Sequence, residues 1–141
     1  MLRVVLDTNV FISSLLTKRG ATAQVLEAWR QRRFLLVISP AIIAEITRVL
    51  RYPHIQHKYA VQEEDIMALA DLLQQEALLV PGKSHVTGAI PADMDDEIIL
   101  ACAVDGMADC IVSGDSHLLD LGQFREIPIW TVREFLEKLA D

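Results

Sequence analysis

Apolar residues along this chain fall into two alternating patterns. One pattern is a short run rich in β-branched residues, bounded by a polar, Gly or Pro residue, and such runs predict strands. Because the runs are apolar throughout rather than alternating with polar residues, they indicate strands buried on both faces of a parallel sheet. The predicted strands are Arg3 to Leu6, Leu35 to Ser39, Leu78 to Val80, Cys110 to Ser113 and Ile127 to Thr131.

The second pattern is helical. Apolar residues recur at i, i+3, i+4 and i+7 between the strands, as from Thr22 to Trp29 and from Ile66 to Leu73. Ser39-Pro40 predicts an N-cap followed by the first residue of a helix, and Tyr52-Pro53 predicts its end. Strands that alternate with helices predict an α/β doubly wound fold.

Length and composition predict a single domain. The chain has 141 residues, 52% of them hydrophobic, and no repeat or Pro/Gly-rich linker interrupts it, so we expect one domain over residues 1–141. The longest apolar run, Ile98 to Val104, is far shorter than the roughly 20 residues that span a bilayer. The apolar contexts of Cys102 and Cys110 predict reduced, buried packing residues. These features predict a cytoplasmic protein without membrane segments.

The charge is unevenly distributed. A net charge of −7 argues against a nucleic-acid partner at first sight. However, residues 1–58 contain nine Lys or Arg and three acidic residues, whereas residues 59–141 contain four and seventeen. An acidic surface that approaches a polyanion needs metal ions or a separate basic patch, and this chain offers candidates for both.

Two acidic residues stand just after predicted strands. Asp7 follows the first strand and Asp115 follows the fourth, and ligands of open α/β sheets bind at the carboxyl ends of the strands. Taken singly, each acid more often caps the next helix or forms a turn.

A third acid, Asp96, is centred on the apolar stripe of a predicted helix. Its position follows from 100° per residue, which also places Asp105 on the opposite side. The stripe contains Asp96, Ile99, Leu100, Ala103 and Met107. A buried carboxylate needs a cation or a proton, so this orientation favours a metal ligand over an acid that only interacts with the helix dipole.

Glu45 borders the apolar face of the helix that starts after Ser39. Alone it is equally consistent with a solvated side chain. However, helix starts and strand ends meet at one edge of a parallel sheet, so Glu45 and Asp96 should converge there with Asp7 and Asp115. An all-oxygen cluster of this kind suits Mg²⁺ or Mn²⁺. We expect the other acids beside Asp96, namely Asp93, Asp95 and Glu97, to be solvated or capping.

The ordered motifs resemble the PIN-domain family over almost the whole chain. They are Asp7-Thr8-Asn9-Val10, Ser39 with Glu45, Asp93-Met94-Asp95-Asp96 and Ser113-Gly114-Asp115. The closest resemblance is to VapC-like bacterial PIN ribonucleases, the toxins of toxin–antitoxin pairs.

The resemblance implies a three-layer α/β/α domain with a five-stranded parallel sheet of order 3-2-1-4-5. It also implies Mg²⁺- or Mn²⁺-dependent cleavage of RNA to 5′-phosphate and 3′-hydroxyl products, a homodimer and a possible antitoxin partner. The implied catalytic and metal-binding acids are Asp7, Glu45, Asp96 and Asp115, with Thr8, Asn9 and Ser113 in support. Glu97 stands where relatives often have Asn, and Ser113 where many have Thr.

Several other features have weaker functional interpretations. His54-x-x-His57 predicts a surface loop rather than half of a metal site. His117, two residues beyond Asp115, could reach substrate, although helix-start packing or a solvent contact is favoured. Trp29 and Trp130 fit core or interface packing better than base stacking. A set of arginines could bind RNA phosphates, although a solvated helix face is slightly favoured: Arg30, Arg32, Arg33, Arg48 and Arg51.

Two other functions stay open. A haloacid-dehalogenase-like phosphatase also uses Asp after its first strand and a Gly-Asp followed by another Asp, here Gly114-Asp115 and Asp120. However, phosphatases of that class protonate the leaving group with an acid two residues after the nucleophile, and this chain has Asn9 at that position. A PIN fold that only binds, as a scaffold or as the neutralised half of a toxin–antitoxin complex, is the other alternative.

Overall fold

A mainly parallel sheet forms the centre of the molecule. The computed structural model describes residues 1–84, 86 and 94–140. Within them the strands are β1 (Arg3–Leu6), β2 (Leu35–Ile38), β3 (Leu78–Leu79), β4 (Cys110–Val112), β5 (Gln123–Phe124) and β6 (Ile127–Trp130). Their order in the sheet is β3-β2-β1-β4-β6-β5.

The predicted fold class is confirmed. The five predicted strands are β1, β2, β3, β4 and β6; they pair in parallel and in the predicted order. The prediction missed β5, which pairs antiparallel with β6 at the edge of the sheet. A strand of two residues, Gln123–Phe124, is too short to show a hydrophobic period.

Helices connect the strands and cover the sheet. They are α1 (Thr8–Leu16), α2 (Ala21–Arg30), α3 (Pro40–Leu50), α4 (Pro53–Tyr59), α5 (Glu63–Glu76), α6 (Met94–Asp105), α7 (Ser116–Leu121) and α8 (Val132–Ala140). The winding reverses between β1 and β4, so right-handed crossovers place helices on both faces. The reversal creates a crevice at the carboxyl ends of these neighbouring strands. None of the helices within the described residues has the length and apolar character needed to cross a membrane.

The start of α3 follows the predicted capping pattern. Ser39 is extended, and its side chain accepts a hydrogen bond from the Ile42 N–H at 3.3 Å. Pro40 occupies the first turn, where a missing N–H costs nothing. This cap fixes the first turn of α3 at the end of β2. Glu45 therefore lies in the second turn of the helix, one turn beyond the end of the strand.

Two local predictions were wrong. His54 and His57 lie in α4 rather than in a loop, because Pro53 both follows the end of α3 and begins a new helix. Met107 does not continue the apolar stripe of α6. The helix ends at Asp105, and Met107 has a positive φ and an exposed side chain.

The predicted packing residues are in the core or at its margin. Cys102 and Cys110 are free and buried, and their burial raises the pKa of both thiols to about 12. Trp29 and Trp130 pack against the core as partly buried side chains, and Trp29 makes an edge-to-face contact with Phe11. These four residues act in packing, as expected.

Candidate metal centre

The candidate acids lie at or near the starts of four helices. Asp7 and Asp115 follow β1 and β4 and occupy the N-cap positions of α1 and α7. Asp96 is in the first turn of α6. Glu45 lies one turn further into its own helix, α3. This arrangement follows from the fold, because a helix that follows a parallel strand starts at the edge where the strand ends.

Ser113 connects the two acids at the strand ends. Its hydroxyl donates to Asp7 Oδ2 at 2.7 Å and accepts from the Asp115 N–H at 2.9 Å. Ser113 is fully buried, directly after β4. The Asp7 N–H donates to the Val112 carbonyl at 2.9 Å, which keeps β1 and β4 in register up to the site. The serine therefore orients both carboxyl groups from a position that solvent does not reach.

Asp7 is buried and its carboxyl has a raised pKa. Only 6% of the residue is exposed. Burial raises the pKa most, the negative charge of Asp115 adds to the rise, and the Ser113 hydroxyl and the backbone amides of Asn9 and Thr8 partly offset it. A nearby cation would reverse this destabilisation of the charged form.

Asp115 has two functions in the structure. Its Oδ1 accepts a hydrogen bond from the His117 N–H at 2.7 Å and so caps α7, the ordinary structural role of an Asp after a strand. The same carboxyl group also lies beside the other acids of this edge. The capping role thus coexists with a position in the candidate centre.

Asp96, Asp115 and His117 form a compact group. Each offers one ligand atom, and these atoms all lie within 4.8 Å of one another. Asp96 is 4% exposed, as the helical periodicity predicts for the apolar side of α6. The sequence interpretation weighed contact of His117 with substrate but favoured a packing or solvent role, and it did not propose a metal ligand. Its spacing two residues after Asp115 indicated proximity to that acid, but nothing in the spacing indicated proximity to Asp96.

Glu45 lies at the margin of its helix face, as its spacing predicts. The side chain is half-buried, with Oε2 inaccessible to solvent. Glu45 and Asp7 are not members of the compact group of Asp96, Asp115 and His117. The structure therefore brings Asp7, Asp96 and Asp115 into direct or Ser113-mediated proximity, and Glu45 is not among them.

The supporting positions differ in burial. Thr8 is 2% exposed, and its Oγ1 makes no hydrogen bond within the part of the chain that the structure describes. Asn9 has an exposed side chain and faces Asp7 through its backbone amide. Asp93, in the acidic motif before α6, lies outside the described residues.

The donor set fits a divalent cation. Carboxylate oxygens and an imidazole nitrogen are suitable ligands for such ions. The mutual repulsion of Asp7 and Asp115, together with the buried Thr8 hydroxyl, gives the site unmet polar demand that a hydrated cation would satisfy. The residues that could hold such a cation are Asp7, Asp96 and Asp115, with His117 beside Asp96 and Asp115.

The arginines predicted as RNA contacts lie in different surroundings. Arg51 makes a salt bridge with Glu63 at 2.6 Å, and Arg33 donates to the Leu139 carbonyl at 3.1 Å. Arg48 lies one turn after Glu45 on α3, and its Nη1 donates to the Tyr52 hydroxyl at 3.0 Å.

Arg30 and Arg32 lie at the end of α2. Arg30 is the last residue of the helix, and Arg32 is two residues beyond it. Arg30 is 4.0 Å from Glu27, and Arg32 is 3.6 Å from Glu76. Both have exposed side chains. Among the predicted RNA-contacting arginines, Arg48 thus has the most direct connection to the helix that carries a candidate ligand.

Comparisons with known proteins agree with this fold. The model of the PIN domain family matches residues 3–117. An uncharacterized protein from Methanocaldococcus jannaschii is 25% identical, over 97% of this chain and 91% of its own length.

Solved structures with the same fold are more distant in sequence. VapBC2 from Rickettsia felis, bound to a DNA fragment from their promoter, superposes with a TM-score of 0.61 at 13% identity. That match covers 92% of this chain and 98% of the other. FitAcB from Neisseria gonorrhoeae superposes with a TM-score of 0.52 at 16% identity, with the same coverage. Since the family model covers most of the chain and includes both strand-end acids, this chain belongs to the PIN domain family.

Proposed function

We propose that this chain is a divalent-metal-dependent endoribonuclease that hydrolyses RNA phosphodiester bonds. The main support for this proposal is the convergence of acids at the carboxyl edge of the sheet. Ser113 joins Asp7 to Asp115, and Asp115 lies within 4.8 Å of Asp96 and His117 at their ligand atoms. Membership of the PIN domain family supports a nuclease role for this edge.

The proposed roles follow from the position of each side chain. A bound Mg²⁺ or Mn²⁺ would lower the pKa of a water and stabilise charge on the phosphate during in-line attack. Asp7, Asp96 and Asp115 are the proposed ligands, and Glu45 extends the acidic surface on the α3 side. Ser113 holds Asp7 and Asp115 in fixed orientations, which limits the reorganisation that ligand binding requires. The burial of Asp7 and Asp96 keeps bulk water away from the inner side of the centre.

We infer that RNA approaches over the end of α3 and over α4. Residues 46–62 contain Arg48, Arg51, Lys58, two His and two Tyr but no Asp or Glu, in a chain of net charge −7. α4 has no fully buried residue, and all of its side chains except those of Ile55 and Gln56 are exposed. Cations interleaved with aromatic rings suit single-stranded nucleic acid, whose phosphates and bases they can contact.

We also propose a toxin role with an antitoxin as protein partner. This rests on the fold neighbours, which are the VapBC and FitAB complexes. We expect the chain to form a homodimer on its own and a stable complex with a protein encoded beside it. Sedimentation equilibrium of the purified chain measures its oligomeric state. Co-expression with the neighbouring reading frame tests whether the complex forms.

The test of the nuclease proposal is degradation of a labelled single-stranded RNA with Mn²⁺ or Mg²⁺. Wild type is expected to cleave, and EDTA to abolish cleavage. Asp96→Asn should reduce cleavage by at least about 100-fold while keeping the thermal unfolding transition, because the change preserves shape but removes the charge. Asp71→Asn on α5, an exposed acid outside the centre, is the control and should cleave as wild type does.

Two results would contradict the proposal. One is equal cleavage by wild type and Asp96→Asn, which would mean that the activity comes from elsewhere. The other is a well-folded wild type that binds metal and RNA but cleaves no RNA, which would favour a PIN fold that only binds. Phosphatase activity on small phosphomonoesters, lost in both Asp7→Asn and Asp120→Asn, would favour the dehalogenase-like alternative.

A further inference from the structure

His117 adds a nitrogen donor to a centre otherwise composed of oxygen donors. A ligand atom of this side chain lies within 4.8 Å of ligand atoms of both Asp96 and Asp115. We propose that His117 is a metal ligand and that it makes the centre select Mn²⁺ over Mg²⁺. The inference rests on the proposed function, because it concerns the same cation.

The distances are compatible with a shared ion. Two donors on opposite sides of one ion lie about 4.2 Å apart when each bond is near 2.1 Å. The separation between His117 Nδ1 and Asp115 Oδ1 is 3.8 Å, which is within that span and too long for a hydrogen bond. The limit of 4.8 Å for the whole group exceeds the span by a few tenths of an ångström, which a small side-chain rotation can close.

A backbone hydrogen bond holds the main chain of His117 beside Asp115. The N–H of His117 donates to Asp115 Oδ1 at 2.7 Å, so the histidine backbone is tied to the carboxyl group that it would join at the metal. The side chain of His117 is 61% exposed and that of Asp115 is 26% exposed, whereas Asp96 is buried. The imidazole therefore lies on the solvent-exposed side of the centre, and Asp96 on its buried side.

The chemical identity of the donor decides the selectivity. Mg²⁺ prefers oxygen ligands in a near-ideal octahedron, so an imidazole contributes little to its binding. Mn²⁺ also binds oxygen ligands well, but as a first-row transition metal it accepts a nitrogen ligand more readily than Mg²⁺ does. A centre with one imidazole should therefore bind Mn²⁺ more tightly than Mg²⁺, and removal of that imidazole should narrow the difference.

A different account of His117 makes the opposite prediction. If the imidazole only pairs with the Asp115 carboxylate when protonated, it competes with the cation for that group. Its removal should then leave Mn²⁺ affinity unchanged or increase it. The effect of one substitution on two metals distinguishes these accounts without reference to RNA cleavage.

The experiment is calorimetric titration of the metal-free chain with Mn²⁺ and with Mg²⁺. We expect His117→Gln to weaken Mn²⁺ binding by about tenfold or more, as substitutions around a bound metal commonly do. Mg²⁺ binding should weaken by less than about twofold, because an imidazole contributes little to it. His54→Gln, an exposed histidine on α4, is the matched control and should bind both metals as wild type does. The electron spin-echo spectrum of bound Mn²⁺ should show nitrogen coupling in wild type and in His54→Gln but not in His117→Gln.

The outcomes separate this inference from the proposed function. Normal Mn²⁺ binding without nitrogen coupling, or equal affinities of wild type and His117→Gln, would overturn the role of His117 while the carboxylate centre stands. An equal loss of Mn²⁺ and Mg²⁺ binding in His117→Gln would overturn the selectivity. Absence of binding of either metal by folded wild type would overturn both proposals.

Discussion

At the residue scale, Ser113 determines the relative orientation of Asp7 and Asp115. Its hydroxyl makes one hydrogen bond to each residue from a fully buried position. Ser113→Ala leaves a buried carboxylate oxygen and a backbone N–H without this partner, at a cost of about 1–3 kcal/mol in the free energy of unfolding. We also expect Mn²⁺ binding to weaken by about tenfold or more, measured by calorimetry.

A second buried serine provides the control for Ser113→Ala. Ser14 on α1 is 2% exposed, and its hydroxyl donates to the Phe11 carbonyl at 2.5 Å, away from the carboxylates. Ser14→Ala should lower stability without changing Mn²⁺ affinity. If both variants bind Mn²⁺ as wild type does, Ser113 does not orient the ligands.

Asp7 links stability to pH in the metal-free protein. Its folded-state pKa is raised above the unfolded value, chiefly by burial. The folded chain therefore retains the proton more strongly, and this stabilisation is present at low pH and is lost as the pH rises through the folded pKa. At neutral pH, metal-free Asp7→Asn should melt at a higher temperature than wild type, and the difference should shrink as the pH falls toward about 4. A lower melting temperature for the variant at neutral pH would contradict this.

The sequence reveals some of these residue roles and hides others. The helical period identified Asp96 as inward-facing, and its 4% exposure bears that out. His117 was assigned a lesser role because an exposed histidine two residues after an acid has no distinctive pattern in one dimension. Its proximity to Asp96 depends on how α6 and α7 meet, and no local spacing encodes that meeting.

At the element scale, the chain segment after β3 supports the start of α3. Gly82 has a φ of +68°, and a Cβ at this position would lie 2.7 Å from Ser39 Cβ. Gly82→Ala should therefore disturb both its own backbone and the Ser39 cap, lowering the free energy of unfolding by about 2–4 kcal/mol from strain and overpacking together. Chemical denaturation measures this loss.

Gly122→Ala separates the backbone strain from the overpacking against Ser39. Its φ is +71°, but a Cβ added there would have no neighbouring atom within 4 Å. Gly122→Ala should incur only the backbone strain, about 1–2 kcal/mol. Equal losses in the two alanine variants would show that the contact with Ser39 has no energetic importance.

Element prediction succeeded where the pattern was long or chemically distinctive. The apolar runs of β1, β2 and β4 identified buried parallel strands, and Ser39-Pro40 identified the start of α3. The prediction failed at β5, which is held by its antiparallel partner rather than by its own pattern, and at α4, which has no buried residue to create a period. Both failures are in short elements whose conformation depends on their neighbours.

At the scale of the whole molecule, the uneven charge predicts salt-sensitive RNA binding. Binding of single-stranded RNA to Asp96→Asn in EDTA should weaken as salt rises, because bound phosphates release counterions. Replacing both Arg48 and Lys58 with Ala should reduce the slope of log affinity against log salt by about 1.4. Fluorescence anisotropy measures both effects.

The matched control removes two charges from another surface. Arg133 and Lys138 are exposed on α8, so their joint replacement by Ala changes the net charge equally. That variant should retain the wild-type slope. An identical fall in both double variants would mean that net charge, rather than the surface of residues 46–62, governs RNA binding.

The most direct test of the central claim is anomalous diffraction from a crystal of this chain grown with Mn²⁺. We expect an anomalous peak at the carboxyl edge of the sheet, within bonding distance of carboxylates of Asp7, Asp96 or Asp115, and no such peak in a crystal of Asp96→Asn. A well-ordered structure with Mn²⁺ bound only elsewhere, or an equal peak in the variant, would contradict the metal centre and the nuclease function built on it.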